Sequence, residues 1–151
     1  MNTNSDRPGV VAPPPLIFLA FLALALLVHF WLWPVPTGLS GSLRQASAAL
    51  ALLIGASGRF RKAGTDVRPW QPTTAIVVTG PYRWTRNPMY LGMAWLYVAA
   101  ALWADSWLPI FLLWPLLETL KHGVILREER YLRDKFGDEY IRYQERVRRW
   151  W

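Results

Sequence analysis

At 151 residues the chain is one domain's worth, and 53% hydrophobic content with ten tryptophans is too apolar and aromatic for an ordinary soluble domain of that size. The formal net charge of +7 flanks apolar blocks instead of spreading over a soluble surface, which argues against nucleic acid as a partner and for a bilayer. With no cysteine there is no disulfide framework, thiolate nucleophile or Cys-based metal site, and two histidines far apart leave too few soft ligands to expect a metal site.

Residues 1–15 are polar and then proline-rich (Pro8, Pro13, Pro14, Pro15), which predicts a disordered arm ending at a helix start, where proline is tolerated. Residues 16–33 are long enough to span and no small-residue cleavage site follows them, so they read as a membrane helix and not a signal peptide. A second apolar block, from about 43 to 60, carries Ala46, Ser47, Ala48, Gly55 and Ala56, small residues that let membrane helices approach closely; 16–60 is then a first hairpin. Residues 61–88 are a cytoplasmic connector, basic and broken by Gly64, Pro69, Pro72, Gly80 and Pro81, and long enough without structure of its own to suggest function.

Residues 90–103 and 107–117 are the third and fourth apolar blocks. About 16 residues cover roughly 24 Å against a hydrocarbon core of about 30 Å, so the fourth helix is expected to continue through Glu118 toward Leu126, making 89–126 a second hairpin. Pro109 and Pro115 are expected to bend it. The tail, 127–151, reads as one amphipathic helix with Tyr131, Leu132, Phe136, Tyr140, Tyr143 and Val147 at three- and four-residue steps. Its basic end, finished by Trp150 and Trp151, suits an anionic membrane surface. Lys and Arg avoid the loops after the first and third blocks and crowd the connector and the tail, so the positive-inside rule puts both termini in the cytoplasm. The whole is an all-α integral membrane bundle of about four transmembrane helices with a C-terminal amphipathic helix, one domain over 1–151.

Two polar constellations fall on the same predicted face: the turn GPYRWTRNPMYLG (80–92) opening the third helix, and Glu118, His122, Glu128 and Glu129 at and beyond the end of the fourth. A short hairpin makes the start of one helix and the end of the other neighbours. A helix N-terminus favours a carboxylate, Gly92 allows close approach to the backbone, and an acidic pair suits an ammonium or sulfonium, so a zwitterionic amino acid fits. Tyr90 adds cation–π attraction. Arg83 and Arg86 suit an acceptor carboxylate or phosphate, and Glu118 or His122 is the base that an amine or thiol acceptor would need. The bland alternatives are positive-inside anchoring for the arginines, a solvated helix face for Glu128 and Glu129, snorkelling for Glu118, and a bundle hydrogen bond for His29.

The run Arg86, Pro88, Tyr90, Gly92, followed by the glutamate pair and then Leu132, Phe136, Gly137, Tyr140 and Tyr143 in order, resembles the isoprenylcysteine carboxyl methyltransferase and phospholipid N-methyltransferase superfamily over roughly residues 64–147. The resemblance implies S-adenosylmethionine as methyl donor, held by Asn87, Pro88, Tyr90, Gly92, Glu128 and Glu129; the charge and base chemistry of Arg83, Arg86 and Glu118 makes them the catalytic candidates. It implies a lipidic or membrane-partitioned acceptor, with carboxyl O-methylation first and phospholipid amine N-methylation second. The sequence departs from the carboxyl methyltransferases at Asn87, where they have His. Asn hydrogen-bonds but cannot titrate near neutrality, so cofactor binding survives the change more readily than a general-base role. The rival from another class is a catalytically silent membrane scaffold or lipid-binding protein.

Overall fold

A computed structural model of the chain describes residues 8–36 and 75–150; the second apolar block and residues 61–74 of the connector lie outside the described residues. Helix α1 (Pro14–Trp31) starts where the sequence allows, with proline in its first turn and no N–H needed there. It ends at Leu32 and Trp33, whose amides both bond to the Val28 carbonyl, just before Pro34. The buried His29 accepts a hydrogen bond at Nδ1 from the Val35 amide at 3.1 Å, which is the bundle role expected of it.

Helix α2 (Pro88–Trp103) and helix α3 (Leu108–Leu120) form the expected hairpin. Asp105, at φ 49°, and Ser106, bonded to the Ala101 carbonyl, make the tight turn between them. Pro109 occupies the first turn of α3, where it is tolerated, and Pro115 is the proline inside the helix. The helix does not stop at Leu120. A π-helical turn (Lys121–Ile125) carries it into α4 (Leu126–Phe136), giving a continuous 29-residue helix over Leu108–Phe136. By length and composition two described helices can cross a membrane, α1 and Leu108–Phe136, while α2 is a shorter apolar helix of 16 residues.

The core joins Ile17 and Phe18 of α1, Tyr90, Ala94 and Tyr97 of α2, and Leu116, Leu120, Val124 and Ile125 of the long helix. The outward faces remain apolar: Leu16, Leu19, Leu24, Leu27 and Phe30 of α1 and Phe111 and Trp114 of α3 are exposed. So much uncovered apolar surface is what lipid, not water, tolerates.

Two ties fix the ends of the bundle. The Trp107 amide donates to the Val35 carbonyl at one end, and the Val11 amide donates to the Gly123 carbonyl at the other. The described N-terminal residues therefore lie at the same end as the start of α2 and the exit of α3. The arm expected to be disordered is held down over part of its length: besides the Val11 bond, Arg127 donates to the Gly9 carbonyl at 2.9 Å, because the π turn presents a main-chain acceptor and α4 a guanidinium to an extended segment.

The tail departs from the single helix expected of it. Gly137, at φ 53° and ψ −130°, ends α4, donating its amide to the Arg133 carbonyl, and starts helix α5 (Asp138–Arg146), its own carbonyl accepting from Tyr140 and Ile141. A side chain at that φ would be strained, so the glycine sets the break. Beyond Arg146 the chain is extended at Val147.

Candidate functional site

The site is organised by the turn before α2. Gly80, at φ 63°, and Pro81 start a 3-10 turn (Gly80–Arg83) that points the Tyr82 carbonyl inward, where the Tyr143 hydroxyl of α5 donates to it at 2.8 Å. The turn leaves Arg83 exposed and Tyr82 buried. Thr85 accepts the Asn87 amide at its hydroxyl, and the Asn87 carbonyl takes the first helical bond, from Leu91, so Asn87 caps α2 with its carboxamide free to point elsewhere.

That carboxamide and the Thr85 hydroxyl both donate to the Arg149 carbonyl, at 2.9 and 3.0 Å. The Arg86 side chain reaches Glu129 at 3.3 Å, and Arg149 grips the same carboxylate with two bonds, 3.0 Å from Nε and 2.7 Å from Nη2. One helical step away, the Tyr90 hydroxyl donates to Glu128 at 2.7 Å. Sequence reasoning placed the start of the third helix beside the glutamate pair, and these contacts put Arg86, Asn87, Tyr90, Glu128 and Glu129 in one cluster, with Pro88 buried in the first turn of α2, between Asn87 and Tyr90 in sequence. Gly92 is buried in α2 one turn further in.

Glu118 stands apart. It lies ten residues before Glu128 on the same helix, roughly 15 Å along the axis. Its half-exposed carboxylate pairs with Lys121 at 3.1 Å and His122 at 3.4 Å. It lines instead the rim of an apolar groove of about 460 Å³ between α2 and α3, walled by Leu91, Ala94, Val98, Leu113, Leu117 and Trp150. Leu91 and Trp150, which line the groove, are chain neighbours of Tyr90 and Arg149 in the polar cluster.

The electrostatics keep the phenols as donors. Burial raises the Tyr82 and Tyr143 hydroxyls well above the ordinary range, each helped by a neighbouring tyrosine, and pushes Tyr140 up to about 12. The Arg149 guanidinium is raised by its hydrogen bonds to Glu129. The Arg86 Nε is buried with no hydrogen-bond acceptor, a donor facing an unfilled need.

Sequence reasoning missed Thr85 and the binding role of Arg149. Thr85 carried a signal in its place inside the quoted turn; Arg149 carried none, being one of several arginines in a basic run.

A family model for phospholipid methyltransferases matches residues 49–139, which take in the turn before α2 and both glutamates. An uncharacterized protein of Haemophilus influenzae is 40% identical over 65 residues, 41% of this chain and 98% of that protein. Protein-S-isoprenylcysteine O-methyltransferase of Saccharomyces cerevisiae is 37% identical over 76 residues, 48% of this chain but only 30% of that enzyme. No solved structure matches.

Proposed function

Because this chain belongs to the phospholipid methyltransferase family, within the superfamily that includes the isoprenylcysteine carboxyl methyltransferases, we propose that it is an S-adenosylmethionine-dependent enzyme that methylates the carboxylate of a lipidic or membrane-partitioned acceptor. The observation that carries this reading is the polar cluster at the start of α2, with its Tyr90–Glu128 and Arg86–Glu129 contacts, set against an apolar groove. The residues fit the donor: two acids match its two cationic centres, and the unpartnered Arg86 Nε suits its carboxylate. When bound, S-adenosylmethionine supplies an electrophilic methyl group on a sulfonium.

The protein's own contribution is alignment and exclusion of water. Tyr90 fixes the Glu128 carboxylate, and Asn87 and Glu129 complete the donor's seat. A groove of this volume is in the range of small-ligand sites and opens between helices whose other faces are apolar, so the acceptor enters sideways from the bilayer. Lys121 at the groove rim attracts an anionic head group. Attack by a carboxylate on a sulfonium turns two opposite charges into two neutral products, a change that an apolar surround favours, and it moves no proton.

N-methylation of a phospholipid amine is the second reading, favoured by the family's name; it needs a base, and Glu118 beside His122 is the pair at the groove rim. Both readings place about four spans in the membrane with both termini in the cytoplasm. Product chemistry separates them. After incubation with methyl-labelled S-adenosylmethionine and either a prenylated thioether acid or phosphatidylethanolamine vesicles, label released as methanol by alkali marks a methyl ester. Lipid-extracted label that alkali leaves non-volatile, as an N-methyl group, would replace the first reading with the second.

A further inference from the structure

Beyond α5 the chain runs back across the start of α2 as a non-helical strap, residues 147–150, which lies past the residues matched to the family. Its main chain takes the hydrogen bonds of the cluster: the Arg86 amide donates to the Arg148 carbonyl at 3.0 Å, and Thr85 and Asn87 donate to the Arg149 carbonyl. The Arg149 guanidinium adds the two-bond fork on Glu129. Trp150, the next residue, packs on the core and walls the groove.

The consequence is competition for atoms. Glu129 has both oxygens engaged by Arg149 and one of them by Arg86, so an arriving ammonium meets two guanidiniums and an acid already neutralised. Asn87 has spent a donor on a main-chain carbonyl. Resting on the cofactor reading above, we propose that the strap is an internal ligand of the site: the Arg149 guanidinium occupies at Glu129 the place of the donor's ammonium, and the Arg149 carbonyl occupies at Asn87 that of the donor's carboxylate. Donor binding displaces the strap, and the movement of Trp150 opens the groove to the acceptor. Donor first, acceptor second is the binding order this imposes.

The absence of cysteine makes the test direct, because Arg148→Cys can carry a single fluorophore on an exposed side chain whose contact with Arg86 runs through the main chain. The full chain in detergent is titrated with S-adenosylhomocysteine, which has the ammonium end but no methyl to transfer, by calorimetry and by iodide quenching of the label. The strap model gives quenching that rises with the calorimetric midpoint. Arg149→Ala should bind about tenfold tighter, as when nine-tenths of the sites are closed by the strap, with Arg149→Lys in between. Binding without any change in quenching, or equal or weaker binding by Arg149→Ala of unchanged helical content, would overturn the strap. Absence of binding to folded wild-type protein is a different failure, since it removes the cofactor reading and the strap with it.

Discussion

At the residue scale the account rests on a few contacts with definite chemistry. Tyr90→Phe keeps the ring in the core and deletes only the hydroxyl that donates to Glu128. The loss should cost about 0.5 to 1.5 kcal/mol of stability, the range for an ordinary intramolecular hydrogen bond, and should weaken S-adenosylhomocysteine binding; thermal unfolding and calorimetry read the two effects. Unchanged values in both would show that the contact holds nothing. The residues of this contact were legible in the sequence, since the resemblance to the methyltransferases singled out the Arg, Pro, Tyr, Gly run and hairpin geometry put it near the glutamates. The grip of Arg149 on Glu129 was not. It depends on where the chain goes after two breaks, and no local pattern separates that arginine from its neighbours.

Elements obey local rules that tertiary context modifies in two places. The fourth apolar block was too short to span, and its continuation past Leu120 follows from that shortage; the π turn in the middle has no sequence signature. The break at Gly137 did have one, a glycine directly after an amphipathic run and before an Asp-Glu first turn, but the three- and four-residue spacing of Tyr140, Tyr143 and Val147 masks it. Two glycines make the distinction measurable. Gly137→Ala forces a side chain into positive φ and should destabilise the protein by about 1 to 3 kcal/mol. Gly123→Ala should be neutral or stabilising by up to about 1 kcal/mol, because its Cβ would meet Val11 at an ordinary 3.7 Å inside a helix that prefers alanine. Equal destabilisation by both in thermal unfolding would contradict the geometry.

In the molecule as a whole, one end of the helical bundle gathers a charged cluster and an apolar groove lined by the chain neighbours of two of its residues. Filling the groove should separate the two functions. Val98→Trp should raise the KM for a hydrophobic acceptor on the order of tenfold, the scale of a lost buried side chain's worth of contact, while leaving donor affinity within a factor of about two. Loss of donor affinity in the same variant would mean that the groove and the seat are one pocket. The membrane character of the whole follows from uncovered apolar faces on α1 and α3 as much as from helix length.

The central claim is that the cluster of Arg86, Asn87, Tyr90, Glu128 and Glu129 seats a methyl donor. Calorimetric titration of the detergent-purified full chain with S-adenosylmethionine and S-adenosylhomocysteine tests it most directly. Saturable one-to-one binding of both, weakened in Glu128→Ala, is the predicted result; no binding of either to protein shown to be folded would contradict it and leave a membrane scaffold as the better description.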